Sequence, residues 1–445
     1  MNLLNNYMKA RLLFFLYTCF FITQISFAAN YEFGDDKMFS KFREFKWNSL
    51  KPGDVVNIYK KKKPYKEKLV LSVSGTHKSP IILRGIPDDE GRLPVIDGAG
   101  AVHFQKICKD SHYNRGLIVL GDCNPANYIR IENLELKNAN NTSRYKWGSN
   151  TYEYAKNAAG IFLWDGRNLK VKNCHIHSCG MGILTNSYPK TSYFYLAFSR
   201  IHNNGDFTRE SWGHNVYIQA RKTMIEFNRF GEMFSDGNNI KDRSNLTVIR
   251  YNWISGGMSP QIDLVENLRY GTQDAFVYGN FITHGKKIRN PKMILFGGDR
   301  VENKKQLGSR SGTLYFFNNT VISTIKTKEG FLYVNRFDCK AILKNNVMLG
   351  RRSIWFGNGQ VAGERNFFSY NAETSAFLNS STGGYEQFVG VGNYPYSPRK
   401  GSLLINTGSL DLPTKVKFVP SMTPKAVLRE RDASIDIGAF EYKVR

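Results

Sequence analysis

Through most of the chain, short runs of alternating apolar and polar residues are broken by Asn or Gly every few positions. One phrase recurs: β-branched or aromatic residues, then Asn, then more apolar residues, then Gly or a polar turn. It reads IRIENLELKN around Asn133, LKVKNCHIHS around Asn173, MIEFNRFGE around Asn228 and TVIRYNWIS around Asn252. It returns as AFVYGNFITHG around Asn280, LYFFNNTVIS around Asn319 and AILKNNVMLG around Asn346, with a weaker copy, YLAFSRIHNNG, around Ser199. Alternation with period two and frequent breaks predicts short strands rather than helical repeats. Most marks lie 24 to 29 residues apart, and two gaps, of 40 and 39, leave room for inserted loops. Such a period means stacked units, none of which can bury its apolar face alone. The expected fold is all-β, a single-stranded right-handed parallel β-helix. The repeated Asn suits a sharp turn, because Asn tolerates the left-handed conformation, and stacked Asn side chains can bond along the solenoid axis.

Both ends read as covers for this stack. Asp36 to Leu50 carries Met38, Phe39, Phe42, Phe45 and Trp47, a set that predicts a short amphipathic capping helix over the first coil. The stretch from Trp47 to Val56, the Ser74-Gly75-Thr76 turn and the run Pro80 to Gly85 resemble the opening of many β-helix carbohydrate enzymes. Asp436 to Glu441, DIGAFE, resembles a phrase that closes this fold. The expected division is 1–28 as a targeting segment, 29–50 as the cap and 51–445 as the solenoid with its loops and closing segment.

The targeting segment rests on Lys9 and Arg11, an apolar run from Leu12 to Phe21, and a small-x-small site at Ser26-Phe27-Ala28. That is the pattern of a secretory signal peptide. The apolar run is about half of the ~20 residues a spanning helix needs, so no transmembrane segment is expected and the chain would be exported, periplasmic or secreted. Net charge is +25, and loss of Lys9 and Arg11 with the segment leaves +23. An exported chain that basic points to a polyanionic partner. No nucleic-acid recognition module is visible, which leaves an acidic polysaccharide ahead of nucleic acid. A monomer is expected. Beyond Cys19 five cysteines remain, with Cys108–Cys123 and Cys174–Cys179 as candidate bridges. Their spacings fit no zinc pattern.

Candidate chemistry comes from aligning coils by their apolar residues. Asn215 to Gln219, Asn239 to Arg243 and Gln261 to Val265 superpose if Val216, Ile240 and Ile262 point inward. Tyr217, Lys241 and Asp263 then point outward as a column, with strands ~4.8 Å apart. Asn215, Asn239 and Gln261 flank it on one side, Gln219 and Arg243 on the other, and Asn215, Asn239 and Gln219 are expected to contact the substrate. At the matching place neighbouring coils carry Phe162, Leu184 and Leu295, so the polar column is local. β-Elimination from a uronic-acid polymer needs a base for the C5 proton, neutralisation of the carboxylate and an acid for the leaving oxygen. Lys241 suits the base if Arg243 lowers its pKa, Tyr217 the acid, and Arg243 a carboxylate clamp. His214 is a second acid–base candidate. Asp263 would pair with Lys241 or contact a ligand. Loops holding Tyr145 to Trp147, Tyr152 to Tyr154, Arg209 and Trp212 mix rings with charge, as sugar-binding loops do, or pack onto the solenoid. No cofactor is required. Ca²⁺ could be held by Asp206, Glu210, Glu232 and Asp236.

Asn238 to Asn245, NNIKDRSN, resembles the coil that carries the lysine base in polysaccharide lyases of the chondroitinase-B and alginate-lyase type. The resemblance implies that Lys241 is the base. That family also has a basic residue on the next coil. Here Ser259 to Glu266 contains no Arg or His, so Tyr217 or His214 would take its place. The expected activity is an exported lyase for an acidic polysaccharide. The alternatives are a C5 epimerase, a glycan-binding β-helix without catalysis, and a hydrolase. Hydrolysis ranks lower because it needs two outward carboxylates ~5–9.5 Å apart and Asp263 stands alone.

Overall fold

The alternating runs form short parallel strands stacked coil upon coil. The computed structural model describes residues 28–108, 113–187, 190–209, 213–267, 271–284, 288–298, 301–302, 305–306, 310–325, 327–390 and 396–442. Three long sheets line the stack: a first of 13 strands, a second of 11 and a third of 10. Successive coils pass through them in turn, as in Leu169–Lys172, His175–His177 and Met181–Thr185, followed by Tyr193–Ala197 back in the first sheet. Every pairing within the three long sheets places equivalent residues of neighbouring coils side by side. In the third sheet Ile118, Ile161, Ile183, Val216, Ile240, Ile262 and Ile294 form one inward column, and none is accessible to solvent. Burying each such side chain stabilises the fold by about 1.5–3 kcal/mol. The chain is a parallel β-helix, and among the described residues none is in an α-helix.

At the turn between the first and second sheets, two adjacent positions do separate jobs. The first takes a left-handed backbone: Asn133, Asn173, Phe198, Phe227, Tyr251, Asn318 and Asn345 have φ between 49° and 58°. The second points inward and holds a ladder of fully buried side chains. Asn228, Asn252, Asn280, Asn319 and Asn346 each pass an Nδ2 hydrogen bond to the next Oδ1, the last to Asn366, at 2.9 to 3.1 Å. The same Oδ1 atoms accept the backbone N–H of the preceding rung. Asn133 and Asn173 therefore stand one residue before the ladder, at the left-handed position, and not in register with Asn228.

The first-coil cap contains no α-helix, contrary to the expectation for Asp36 to Leu50. Asn30–Phe33 is already the outermost strand of the first sheet, paired with Val55–Tyr59. Two 3₁₀ turns follow, Phe42–Glu44 and Trp47–Ser49. Phe39, Phe42 and Phe45 are spaced by three, the period of a 3₁₀ turn, whereas an α-helical stripe needs spacings of three and four. With Phe33 and Trp47 they make a cluster of stacked and edge-on rings over the core.

The C-terminal segment does not sit on the open end. It packs along the flank: Leu404, Val419, Ile437, Ala439 and Phe440 join one apolar cluster with Trp253, Phe281, Val347 and Phe367. Asn318 Nδ2 donates to the Asp436 carbonyl, Ala439 N to Thr320 Oγ1 and Gly438 N to the Asn345 carbonyl, at 2.8 to 3.0 Å.

Cys108 and Cys123 form a disulfide. Cys174 and Cys179 do not; both are buried thiols. The strand His175–His177 lies between them, and extended backbone at ~3.3 Å per residue carries the two Cα atoms beyond the ~7 Å a bridge can span. No helix among the described residues is long and apolar enough to cross a membrane. The segment expected as a signal peptide lies outside the described residues, apart from Ala28.

The two turn positions should respond differently to substitution. Asn280→Ala strands partners on both neighbouring coils, each worth about 1–3 kcal/mol when left unsatisfied, and should lower the urea midpoint sharply. Asn133→Gly keeps the left-handed backbone at no steric cost and should change it little. Equal effects would show that the ladder does not hold the coils.

Candidate active site

The expected column is present. Strands Val216–Ile218, Ile240–Asp242 and Ile262–Leu264 are neighbours in the third sheet. Their registers pair Tyr217 with Lys241 and Lys241 with Asp263. On either side the outward stripe is aliphatic or aromatic: Val119, Phe162 and Leu184 precede Tyr217, and Leu295, Tyr333 and Phe356 follow Asp263. The Lys241–Asp263 pair, with Tyr217 beside it, interrupts that stripe at one place.

The column is tightly linked. Lys241 Nζ lies 3.0 Å from Asp263 Oδ2, and each side chain keeps only 6% exposure. Low surroundings polarity strengthens such a pair and also makes each charge depend on the other. Arg243 Nε donates to the Tyr217 hydroxyl at 2.9 Å. Its Nη1 donates to the Glu266 carbonyl at 2.6 Å and stands 3.5 Å from Oε1 of that residue. Arg243, expected as a carboxylate clamp, therefore braces Tyr217 against the next coil. With the acceptor face of the phenol occupied by Arg243, Tyr217 retains its O–H as a donor. His214 is buried, and its Nδ1 accepts the backbone N–H of Asn238 at 3.0 Å. That bond places the proton of a neutral ring on Nε2. The ring stands edge-on to Tyr217, with centroids 5.4 Å apart.

Several flanking residues do other work than expected. Asn215 and Asn239 are fully buried in a second side-chain ladder, from Asn204 through Asn215 and Asn239 to Gln261. They cannot contact a polymer; inward-pointing amides at a coil turn satisfy one another instead. Gln219 Nε2 donates to the Thr185 carbonyl at 3.2 Å. Arg209 is exposed and lies over the Phe234 ring at 5.1 Å. Trp212 and Glu210 lie outside the described residues. Tyr145 and Tyr154 are buried and enclose the Lys68 ammonium, so that hairpin packs on the solenoid rather than offering those rings to a sugar. The expected calcium carboxylates do not converge among the described residues. Asp206 accepts from Asn141 and Thr208, Asp236 pairs with Arg289, and Glu232 is exposed beside a groove of the second sheet.

Sequence reasoning missed two features. Arg310 is completely buried where the column's strands end, 3.6 Å from the buried Asp242 and bonded to Thr247 Oγ1 at 2.7 Å. Burial pulls its pKa down while Asp242 works the other way. It stands far along the chain from both partners, so no local pattern announces it. The second feature is a histidine group on the second sheet, His175, His177 and His202, beside Glu135. Its signal was legible as His at i and i+2 in LKVKNCHIHS with another at the matching place one coil on.

Comparisons with known proteins bear on the fold. No protein-family model matches the sequence, and no curated protein matches it. Among solved structures, the pectate lyase Pel9A superposes with a TM-score of 0.51 at 13% identity, over 95% of this chain and 98% of that one. A GH136 lacto-N-biosidase from Eubacterium ramulus gives 0.47 at 12% identity, over 80% and 67%. A mannuronic acid specific family 6 polysaccharide lyase from human gut microbiota gives 0.44 at 13%, over 80% and 82%. At these identities the likeness concerns architecture, and a fold of this kind hosts many activities.

Two outcomes follow from the site. Lys241→Met leaves a buried carboxylate without its cation and should cost about 3 kcal/mol of stability; adding Asp263→Leu should recover most of it in a denaturation double-mutant cycle. Burial first, and a neighbouring histidine second, push His175 down to about 4 and His202 down to about 3. Between the ordinary histidine range and those values the unfolded chain binds more protons than the folded one, so stability should fall on acidification from about pH 6.5 towards 4. His202→Gln should flatten that slope in thermal melts across the same interval.

Proposed function

We propose that the protein is an exported polysaccharide lyase that cleaves a uronic-acid-containing polymer by β-elimination at the Tyr217–Lys241–Asp263 column. The observation that carries this reading is the register of those three residues, which sets the only charged pair in the described part of that outward stripe next to a tyrosine. The net charge of +25 suits a polyanionic substrate. The superposition on a pectate lyase over nearly the full length of both chains is in keeping with it. The Cys108–Cys123 disulfide fits an oxidising compartment, as the expected leader does.

In this reading the ammonium proton of the resting Lys241–Asp263 pair passes to solvent first, and Lys241 then takes the C5 proton of the uronate as a neutral amine. Asp263, 3.0 Å from its Nζ, orients the amine and shares the proton it acquires. Tyr217 gives its O–H proton to the departing glycosidic oxygen, so a sugar ring seated over the column meets base and acid from adjacent strands. Arg243 fixes the phenol and, with the overall positive field, favours the negative charge that develops on the carboxylate. In the same reading the protein acts as a monomer and requires no cofactor.

The test is a panel of alginate, pectate and glycosaminoglycan polymers, assayed with and without a chelator. One of them should shorten and gain the ultraviolet absorbance of the new C4–C5 double bond. Tyr217→Phe removes one oxygen and should lower kcat by about 10²–10⁴-fold with little change in KM; Lys241→Gln should do the same. A change in uronate composition without chain cleavage would make the protein an epimerase. Binding with no chemical change in any polymer would leave it a glycan-binding solenoid.

A further inference from the structure

The second sheet carries a group of side chains with no part in the column just described. Glu135–Lys137, His175–His177 and Arg200–His202 are successive strands there. Leu136, Ile176 and Ile201 point inward and are fully buried, so alternation turns Glu135, His175, His177 and His202 to the outer face. Registers pair Glu135 with His175 and His177 with His202. Strand pairing therefore brings four metal-competent groups from three coils together.

We propose that Glu135, His175 and His177 bind one divalent transition-metal ion of the zinc type, with His202 supporting His175 from outside the coordination sphere. Their ligand atoms lie within 4.8 Å of one another. Glu135 Oε1 is 3.3 Å from His177 Nε2, and its Oε2 is 3.8 Å from His175 Nδ1. Metal–ligand bonds of ~2.0–2.2 Å in a tetrahedral site set donors ~3.3–3.6 Å apart, so the group is close to binding geometry already.

The surroundings fit as well. A ligating imidazole ordinarily has its other nitrogen held by a hydrogen bond, which fixes the ring and its tautomer. Here His177 Nδ1 meets Ser178 Oγ at 3.0 Å, and His175 Nε2 meets His202 Nε2 at 2.8 Å. The His202 ring lies parallel to that of His177, at an angle of 4°, which packs it in place. Side-chain exposures of 17% to 28% for the three ligands leave a route from solvent and room for a water at the fourth position. Lys137 Nζ stands 3.6 Å from Glu135 Oε1 and is the cation that a metal would supplant. Two imidazoles and one carboxylate suit zinc, cobalt or nickel; calcium and magnesium want sets of oxygens. The other described group of this kind, Cys108, Asp122 and Cys123, has its sulfurs joined in the disulfide.

The experiment uses the full chain without a histidine tag, stripped with chelator and dialysed. ZnCl₂ is titrated by calorimetry, and CoCl₂ by visible absorption. One equivalent should bind, with d–d bands characteristic of a low-coordinate nitrogen and oxygen site. Glu135→Gln and His177→Ala should each weaken binding by more than tenfold, and His202→Gln by about 10-fold through the lost outer contact. Circular dichroism of the variants checks the fold, and Lys340→Gln, at an exposed position of the first sheet, should bind metal as the parent does. Absence of stoichiometric binding, or binding unchanged in a His175→Ala/His177→Ala double variant, would overturn the site and leave the histidines as packing on an outer face.

Discussion

Everything in this molecule depends on the registration of parallel strands between successive coils. Hydrogen bonds between strands fix the spacing, but they would be satisfied equally by a slip of one residue. A slip would turn each inward isoleucine to solvent. The inner columns and the buried Asn ladder forbid it, because an amide of Asn280 has partners on the coils before and after only in one alignment. Contacts between residues tens of positions apart in sequence are therefore as well determined as contacts within a helix would be.

That constraint made part of the site legible. Aligning Val216, Ile240 and Ile262 as inward residues was enough to place Tyr217, Lys241 and Asp263 side by side, because period two leaves one choice of face. What the alignment could not show was how the column is held. The engagement of Arg243 with Tyr217 and Glu266 depends on side-chain reach, and the buried Arg310 arrives from a remote stretch of chain. Asn215 and Asn239 were misread as ligand contacts because a turn amide and a surface amide look alike in sequence; only the direction of the coil's bend separates them. The same ambiguity shifted Asn133 and Asn173 by one place, since Asn serves both the left-handed position and the ladder. The aromatic cap was legible as a cluster and wrong as a helix, its spacing of three being a 3₁₀ signature.

The two polar groups sit on different sheets and differ in character. The Lys241–Asp263 pair is nearly excluded from solvent, where charge is costly unless matched. The histidine group keeps partial exposure and borders a groove of about 390 Å³ lined by Arg200, His202, Arg229, Glu232, Ser255 and His284. A solenoid can carry both because each depends only on the few coils that present it, and the inner columns isolate one face from another.

The C-terminal segment adds a consequence of its own. It lies against coils made long before it, touching Trp253, Phe281 and Phe367 and bonding through Asp436 and Ala439 to Asn318 and Thr320. While the ribosome is still at work those coils have an oily, uncovered side. Cover for the middle of the stack thus comes from residues made 118 positions later, and a polypeptide cut short before them would be sticky in its centre rather than frayed at its tip.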